Sequence, residues 1–326
     1  LYTTEPQIRL AERITAHSFA EAAYFCNSGA EANEAALKLA RRVHHDRGAK
    51  AGEERFEIVA FEGAFHGRTL FTVTATGTPA YWQGFEPLVP GVHHAPWGDL
   101  DAVRALLSKK TAAILVEPIQ GEGGLRTPPP GFLKGLRDLA DENGCLLIFD
   151  EVQVGMGRTG TLFAHEQEGV VPDVMTLAKA LGGGIPIGAM CTTRELAASL
   201  VPGTHASTFG GNPLACAVAA AVFDELIEGG VLDHAKSMGD RLGRELESIA
   251  QAAGPERVHE ARGRGLLRGL AMAKPPGAII DACRERGVLV ISAGGDVLRL
   301  APPLVISEDE IDHGLSVLRD VILEHG

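Results

Sequence analysis

No two cysteines in this chain stand at CxxC spacing. The five present (Cys26, Cys145, Cys191, Cys216, Cys283) are scattered and odd in number, which excludes a disulfide framework and points to reduced thiols in a cytoplasmic protein. Positive charge is also scarce: 30 Lys and Arg against 42 Asp and Glu leave a net charge of −12. That balance argues against nucleic acid and against anionic membrane surfaces as partners. Anionic metabolites stay admissible, because a local Arg in a low-dielectric cleft can outweigh the global field. No apolar run reaches membrane-spanning length; the longest, around 214–223, reads as a core helix. Signal peptide, internal repeat and low-complexity tract are all missing from the pattern. The pairs His44-His45 and His93-His94 have no HExxH or CxxC context, so both are expected to be solvated or capping residues and no metal is expected.

Glycine, by contrast, is abundant. Forty Gly in 326 residues is roughly one in eight, against a usual ~7%, so many backbone positions must permit tight turns or close approach to a ligand. The length suits two domains, or one large and one small. Short apolar runs at 56–61, 112–116, 146–149, 174–178 and 187–191 read as strands, with helical patterns at 100–107 and 131–143 between some of them. Such alternation predicts an α/β fold with a mainly parallel sheet covered by helices. A long helix over 213–227 ends at Gly229-Gly230. Beyond it the texture becomes helix (233–252), strands near 266–271, 288–292 and 297–300, and a last helix from Glu308. The expected division is therefore a large domain over 1–228 and a smaller α+β domain over 229–326. The chain starts at Leu1 and not at Met, so a preceding segment is expected.

Two strand ends carry chemistry. The run at 146–149 leads into Asp150, and the run at 174–178 leads into Lys179. They are about 30 residues apart, the size of one strand–helix–strand unit, and ligands of open α/β sheets bind at that carboxyl edge. An acid and a lysine meeting there suit pyridoxal phosphate, which needs a Lys for the Schiff base and an Asp against the pyridinium nitrogen. Lys179 is expected to be buried, since desolvation favours the neutral amine that such a bond requires. Asp150 has a plainer reading as a turn cap, and Lys179 as a strand-end residue reaching solvent. Glu151 is sent to the opposite face by strand alternation and reads as structural.

Other stretches carry two readings each. Ser28-Gly29-Ala30 opens a helical pattern over 32–43; it is either an ordinary cap or a seat for a phosphate dianion made of free N–H groups and a hydroxyl. Phe65-His66-Gly67-Arg68 offers an aromatic face and a guanidinium for a carboxylate, or only a core Phe and a surface Arg. Glu122, flanked by glycines in the run 120–124, either gates an Arg or marks a turn.

Seven stretches in one order resemble the fold-type I, class III (subgroup II) aminotransferases: 25–34 (FCNSGAEANE), 64–69 (AFHGRT), 117–124 (EPIQGEGG), 149–160 (FDEVQVGMGRTG), 178–184 (AKALGGG), 207–213 (STFGGNP) and 297–303 (VLRLAPP). The resemblance covers nearly the whole chain. It implies pyridoxal 5'-phosphate as cofactor, with Lys179 and Asp150 as catalytic residues. Ser28, Gly29, Ala30, Phe65, His66, Val152, Gln153 and Thr208 would contact the cofactor: Phe65 and Val152 on the two ring faces, Gln153 at the phenolic oxygen, and Ser28 to Ala30 at the phosphate. Thr208 would reach the phosphate of a neighbouring subunit, making the protein a homodimer with shared sites. Arg68 and Arg299 would bind substrate carboxylates, and Glu122 would mask Arg299 while an amine donor is bound. The spellings lean toward the branch that moves the terminal amine of N-acetylornithine to 2-oxoglutarate. Ornithine, 4-aminobutyrate, succinyl-ornithine and succinyl-diaminopimelate are alternative donors, an aminomutase or decarboxylase is a rival reaction, and a non-catalytic nucleotide-binding protein a rival class.

Overall fold

The computed structural model describes residues 2–48 and 54–325. They form two compact units, Leu1–Pro118, Pro128–Gln153 and His165–Glu225 in the first, and Ile119–Thr127, Val154–Ala164 and Leu226–Gly326 in the second.

The first unit holds seven strands: β1 (Ala22–Cys26), β2 (Glu57–Phe61), β3 (Val92–Ala95), β4 (Thr111–Val116), β5 (Leu146–Asp150), β6 (Val174–Leu177) and β7 (Gly188–Thr192). Their order in the sheet is β1-β7-β6-β5-β4-β2-β3. Neighbours from β6 to β3 run parallel, while β7 lies antiparallel to both β6 and β1. Strands β4 and β5 are buried at every residue, as expected of parallel strands covered on both faces. Phe61, Ile114, Leu136, Leu147 and Phe149 share one core, while Ala36, Leu39, Val43, Ile58, Leu115 and Ile148 belong to another. Each fully buried large side chain contributes about 1.5–3 kcal/mol relative to exposure.

The helix Gly29–Asp46 presents Ala32, Ala35, Ala36 and Ala40 among its buried residues. Alanine shortens the distance to the sheet and costs no side-chain entropy. The same helix corrects one expectation: His44 is not solvated. It is buried, and its Nε2 lies 3.1 Å from the Ala112 carbonyl of β4. Burial, then the charge of Arg55, pushes its pKa below the usual histidine value. His94 is likewise held low by burial, with Nε2 against the Ala75 carbonyl at 3.2 Å.

The second unit contains an antiparallel sheet of β8 (Val258–Arg264), β9 (Leu267–Met272), β10 (Ile291–Ala293) and β11 (Val297–Leu300), in the order β10-β11-β9-β8. The helices Val231–Ala253, Gly277–Glu285 and Glu308–His325 bury Leu242, Leu246, Ile279, Leu318 and Val321 in its core. A single cut at residue 229 does not describe this unit, because it also takes up 119–127 and 154–164. The reason is apolar: Ile119, Leu125, Val154 and Ala164 join Leu267, Ala271, Ala293 and Val297 in one buried cluster. Arg158 of the same segment is a structural tie, donating to the carbonyls of Leu266 (3.0 Å) and Pro302 (2.5 Å).

Candidate active site

Asp150 closes β5 at 3% exposure, and its register partner on β6 is Thr176, three residues before Lys179. Adjacent strands lie about 4.8 Å apart, so the acid and the lysine stand at neighbouring carboxyl ends of one sheet. The chain leaves β6 through Ala178 and enters a short 3₁₀ turn, Lys179–Gly182. Lys179 has φ +42°, a conformation that side-chain-bearing residues rarely adopt. Strain of this kind persists only where the surroundings over-determine it, and it clusters at functional sites. In one respect expectation and structure differ: Lys179 is exposed. The strand ends at Leu177 and the turn carries Lys179 out of the apolar layer.

The carboxylate of Asp150 is heavily engaged. Oδ2 accepts from His66 Nδ1 at 2.8 Å and from Asn33 Nδ2 at 2.7 Å; Oδ1 accepts from the Val152 amide at 3.0 Å. Thr176 Oγ1 lies 3.5 Å from Oδ1. His66 is buried, and its Nε2 has no partner among the described residues. Asn33 and Thr176 were not singled out in the sequence. The available signal was a polar residue on the apolar face of the helix Gly29–Asp46, within the quoted stretch 25–34.

That helix begins at Ser28, whose Oγ accepts from the Glu31 amide at 3.2 Å. Glu31 in turn accepts from the Asn27 amide at 2.7 Å and from Ser28 Oγ at 3.2 Å. The first amides of any helix lack intrahelical acceptors and lie at its positive dipole end. Gly29 and Ala30 are those residues here, at the head of an 18-residue helix. A Cβ on Gly29 would come within 2.7 Å of Val152 Cγ1, so only glycine lets the loop after β5 approach this turn. Buried Cys26, just before it, has its thiol pushed up to about 12, chiefly by burial, and is no nucleophile.

Phe65 is half-buried, with its amide donating to Glu117 Oε2 at 3.1 Å. Arg68 is exposed; its guanidinium lies 3.7 Å over the Tyr81 ring and 5.3 Å from that of Phe65. Val152 and Gln153 are half-buried in the turn after β5. Glu151, on the other face, is buried against His165, with Oε1 2.8 Å from both the backbone N and Nδ1. Thr208 is exposed, and its neighbour Ser207 accepts from Asn27 Nδ2 at 2.9 Å. In the second unit, Arg299 on β11 is 8% exposed and donates from Nη1 to Glu122 Oε1 at 2.6 Å.

A phosphate-ready helix start, a carboxylate at one strand end and a lysine on the next are the parts pyridoxal phosphate needs, and the family description Aminotransferase class-III matches residues 1–322. The chain belongs to the class-III aminotransferases. It is a pyridoxal-phosphate transaminase. Among the similar members of this aminotransferase family is acetylornithine aminotransferase 1 of Bradyrhizobium diazoefficiens, 51% identical over 310 residues, covering 95% of this chain and 76% of the relative. The succinylornithine transaminase of Salmonella enteritidis is 50% identical over 318 residues, covering 96% of this chain and 77% of that one. The ornithine aminotransferase from Toxoplasma gondii, a solved structure with partial occupancy of pyridoxal phosphate at its active site, superposes with a TM-score of 0.93 at 33% identity over 99% of this chain and 77% of that one. No helix among the described residues is long and apolar enough to cross a membrane.

Proposed function

We propose that this class-III transaminase moves the terminal amino group of N-acetylornithine to 2-oxoglutarate, giving N-acetylglutamate 5-semialdehyde and glutamate. The reaction belongs to arginine biosynthesis in the cytoplasm. The observation that carries the substrate reading is the Arg299–Glu122 pair, a buried guanidinium held by a partly exposed carboxylate. An enzyme that takes in turn an amine donor and a dicarboxylate needs one cation that can be neutralised and released. Glu122 neutralises Arg299 while the donor is bound and yields it to the second carboxylate of 2-oxoglutarate. Arg68, whose guanidinium lies 3.7 Å over the Tyr81 ring, binds the carboxylate common to both substrates.

The residues present fit the cofactor. Ser28, Gly29 and Ala30 would hold its phosphate, and Thr208 of the partner subunit would complete that seat in a homodimer. Exposed Phe209 (72%) and Leu214 (69%), which flank the Thr208 loop, suit burial between two copies. Phe65 and Val152 would cover its ring, Gln153 would meet its phenolic oxygen, and Asp150, backed by His66, would pair with its ring nitrogen. When bound, pyridoxal phosphate supplies the electron sink that makes a C–H beside the reacting nitrogen acidic enough to lose its proton. Lys179 Nζ is then the base that takes this proton and returns it one atom further along. Its side chain has no ion pair or hydrogen bond among the described residues, which leaves it free to move between these two tasks.

A kinetic comparison of N-acetylornithine, N-succinylornithine, ornithine and 4-aminobutyrate as donors, with glutamate formed from 2-oxoglutarate as readout, tests the assignment. N-acetylornithine is expected to give the highest kcat/KM. A larger value for N-succinylornithine would favour the second reading, which the Salmonella relative supports. Failure to form glutamate with any donor would exclude both.

A further inference from the structure

Asn33 takes part in no assigned role, yet it is the most fully engaged polar side chain around Asp150. It is 1% exposed, and each of its two polar atoms is used. Nδ2 donates to Asp150 Oδ2 at 2.7 Å and to the backbone carbonyl of His66 at 2.8 Å, while Oδ1 accepts from Thr176 Oγ1 at 2.8 Å. One amide therefore joins three pieces of chain: the end of β5, the loop carrying His66, and β6 immediately before Lys179.

The bonds also fix which way the amide faces. Thr176 offers a hydroxyl proton to Oδ1, so the NH₂ end must point to the other side, and there it finds only acceptors: a carboxylate and a carbonyl. His66 Nδ1 arrives at the same Oδ2 from another direction at 2.8 Å. Oδ2 is thus held by two donors, while Oδ1 keeps the Val152 amide at 3.0 Å and the longer Thr176 contact at 3.5 Å. A buried polar side chain of this kind costs stability unless every group is met; here all are met, one of them at the acid itself and the others on the loop and strand beside it.

We infer that Asn33 is a positioning residue, set by Thr176, that fixes the orientation of the Asp150 carboxylate and of the His66 loop toward the ring nitrogen of the cofactor. This rests on the reading above, in which Asp150 faces that nitrogen. The physical consequence is specific. A carboxylate that loses a donor competes better for the proton it shares with the ring nitrogen. In the loaded enzyme this would weaken the electron withdrawal felt at the Lys179 nitrogen and raise the pH at which it titrates.

The test uses purified holoenzyme loaded with pyridoxal phosphate. For wild type, Asn33→Leu and Thr176→Val, three quantities are read: the pH midpoint of the visible absorption change, the cofactor dissociation constant, and the melting temperature of the cofactor-free protein. Asn33→Leu is expected to move the midpoint to higher pH and to weaken cofactor binding about tenfold, the weight of one hydrogen bond to a charged acceptor. Thr176→Val, which removes only the group that orients the amide, is expected to shift the midpoint the same way by less. A folded Asn33→Leu protein whose midpoint is unchanged and whose cofactor affinity stays within about twofold overturns the inference, whatever happens to its melting temperature. Should Asn33→Leu not fold, Thr176→Val decides: an upward shift supports the inference and an unmoved midpoint overturns it. A wild-type protein with no visible cofactor absorption would instead refute the underlying reading of Asp150 and Lys179.

Discussion

Asp150 and Arg299 are both buried ionisable groups, 3% and 8% exposed, but they are held in different ways. Three donors from separate stretches of chain reach Asp150 at 3.0 Å or less. Arg299 meets Glu122 through Nη1, its buried Nε has no acceptor among the described residues, and the Glu122 side chain keeps 33% exposure. Moving the first group means breaking several bonds at once in a low-dielectric interior. Parting the second means exchanging one carboxylate for another. A cluster held at several points and a pair held at one are the division of labour that the proposed two-substrate reaction requires.

The largest way to break this comparison is at Lys179, which belongs to neither cluster and should carry the proton for both half-reactions. Lys179→Ala is expected to lower glutamate formation more than about a thousandfold, within the range that a positioned acid–base group contributes. Residual turnover within tenfold of wild type would remove the centre from the chemistry altogether. Asp150→Asn keeps the shape and the neighbours but removes the charge; a loss on the order of a hundredfold in kcat, with little change in KM, is expected if its electrostatics act mainly in the transition state. Glu122→Gln should spare the donor half-reaction in rate but erode the choice between substrates. The single-turnover preference for donor over glutamate is expected to change by about tenfold, or 1.4 kcal/mol, and an unchanged preference would make the Arg299 pair merely structural.

The smallest effect concerns stability and lies away from both clusters. His44 is buried, and its folded pKa sits below its ordinary value, which is ~6.5 in an unfolded chain. Above ~6.5 it is neutral in both states and contributes no pH dependence; on acidification the unfolded chain takes up the proton first, so stability falls with pH. His94, lowered by the same cause, adds in the same direction. Denaturant midpoints of wild type and His44→Gln at pH 7 and pH 5 should show a smaller acid loss in the variant. An equal loss would assign the acid sensitivity to other groups.

Much of the layout was legible in the sequence because local pattern drives it. Apolar runs of four to six residues became β4, β5 and β6, and the Ser28 cap with its Ala-rich face became the helix Gly29–Asp46. Strand β1, with a mixed burial pattern, and the short β3 carry too little apolar periodicity to be read. His44 was misjudged because a histidine beside a second histidine looks solvent-facing until the helix is wound and one of the two turns inward. Lys179 was expected inside the protein because the strand leading to it is wholly buried. Its exposure follows from one residue of left-handed backbone, which no composition argument reveals.

By itself, then, the sequence determined where the elements form, that Asp150 and Lys179 end two of them, and that seven motifs stand in the order of one enzyme family. Those are consequences of short-range pattern and of residue identity. Only the tertiary structure decided that Asn33, 117 residues before Asp150, bonds to it, and that residues 119–127 and 154–164 pack with the second unit. Contacts between distant positions leave no periodic trace in one chain; burial and the need to satisfy every buried polar group select them once the chain has closed on itself.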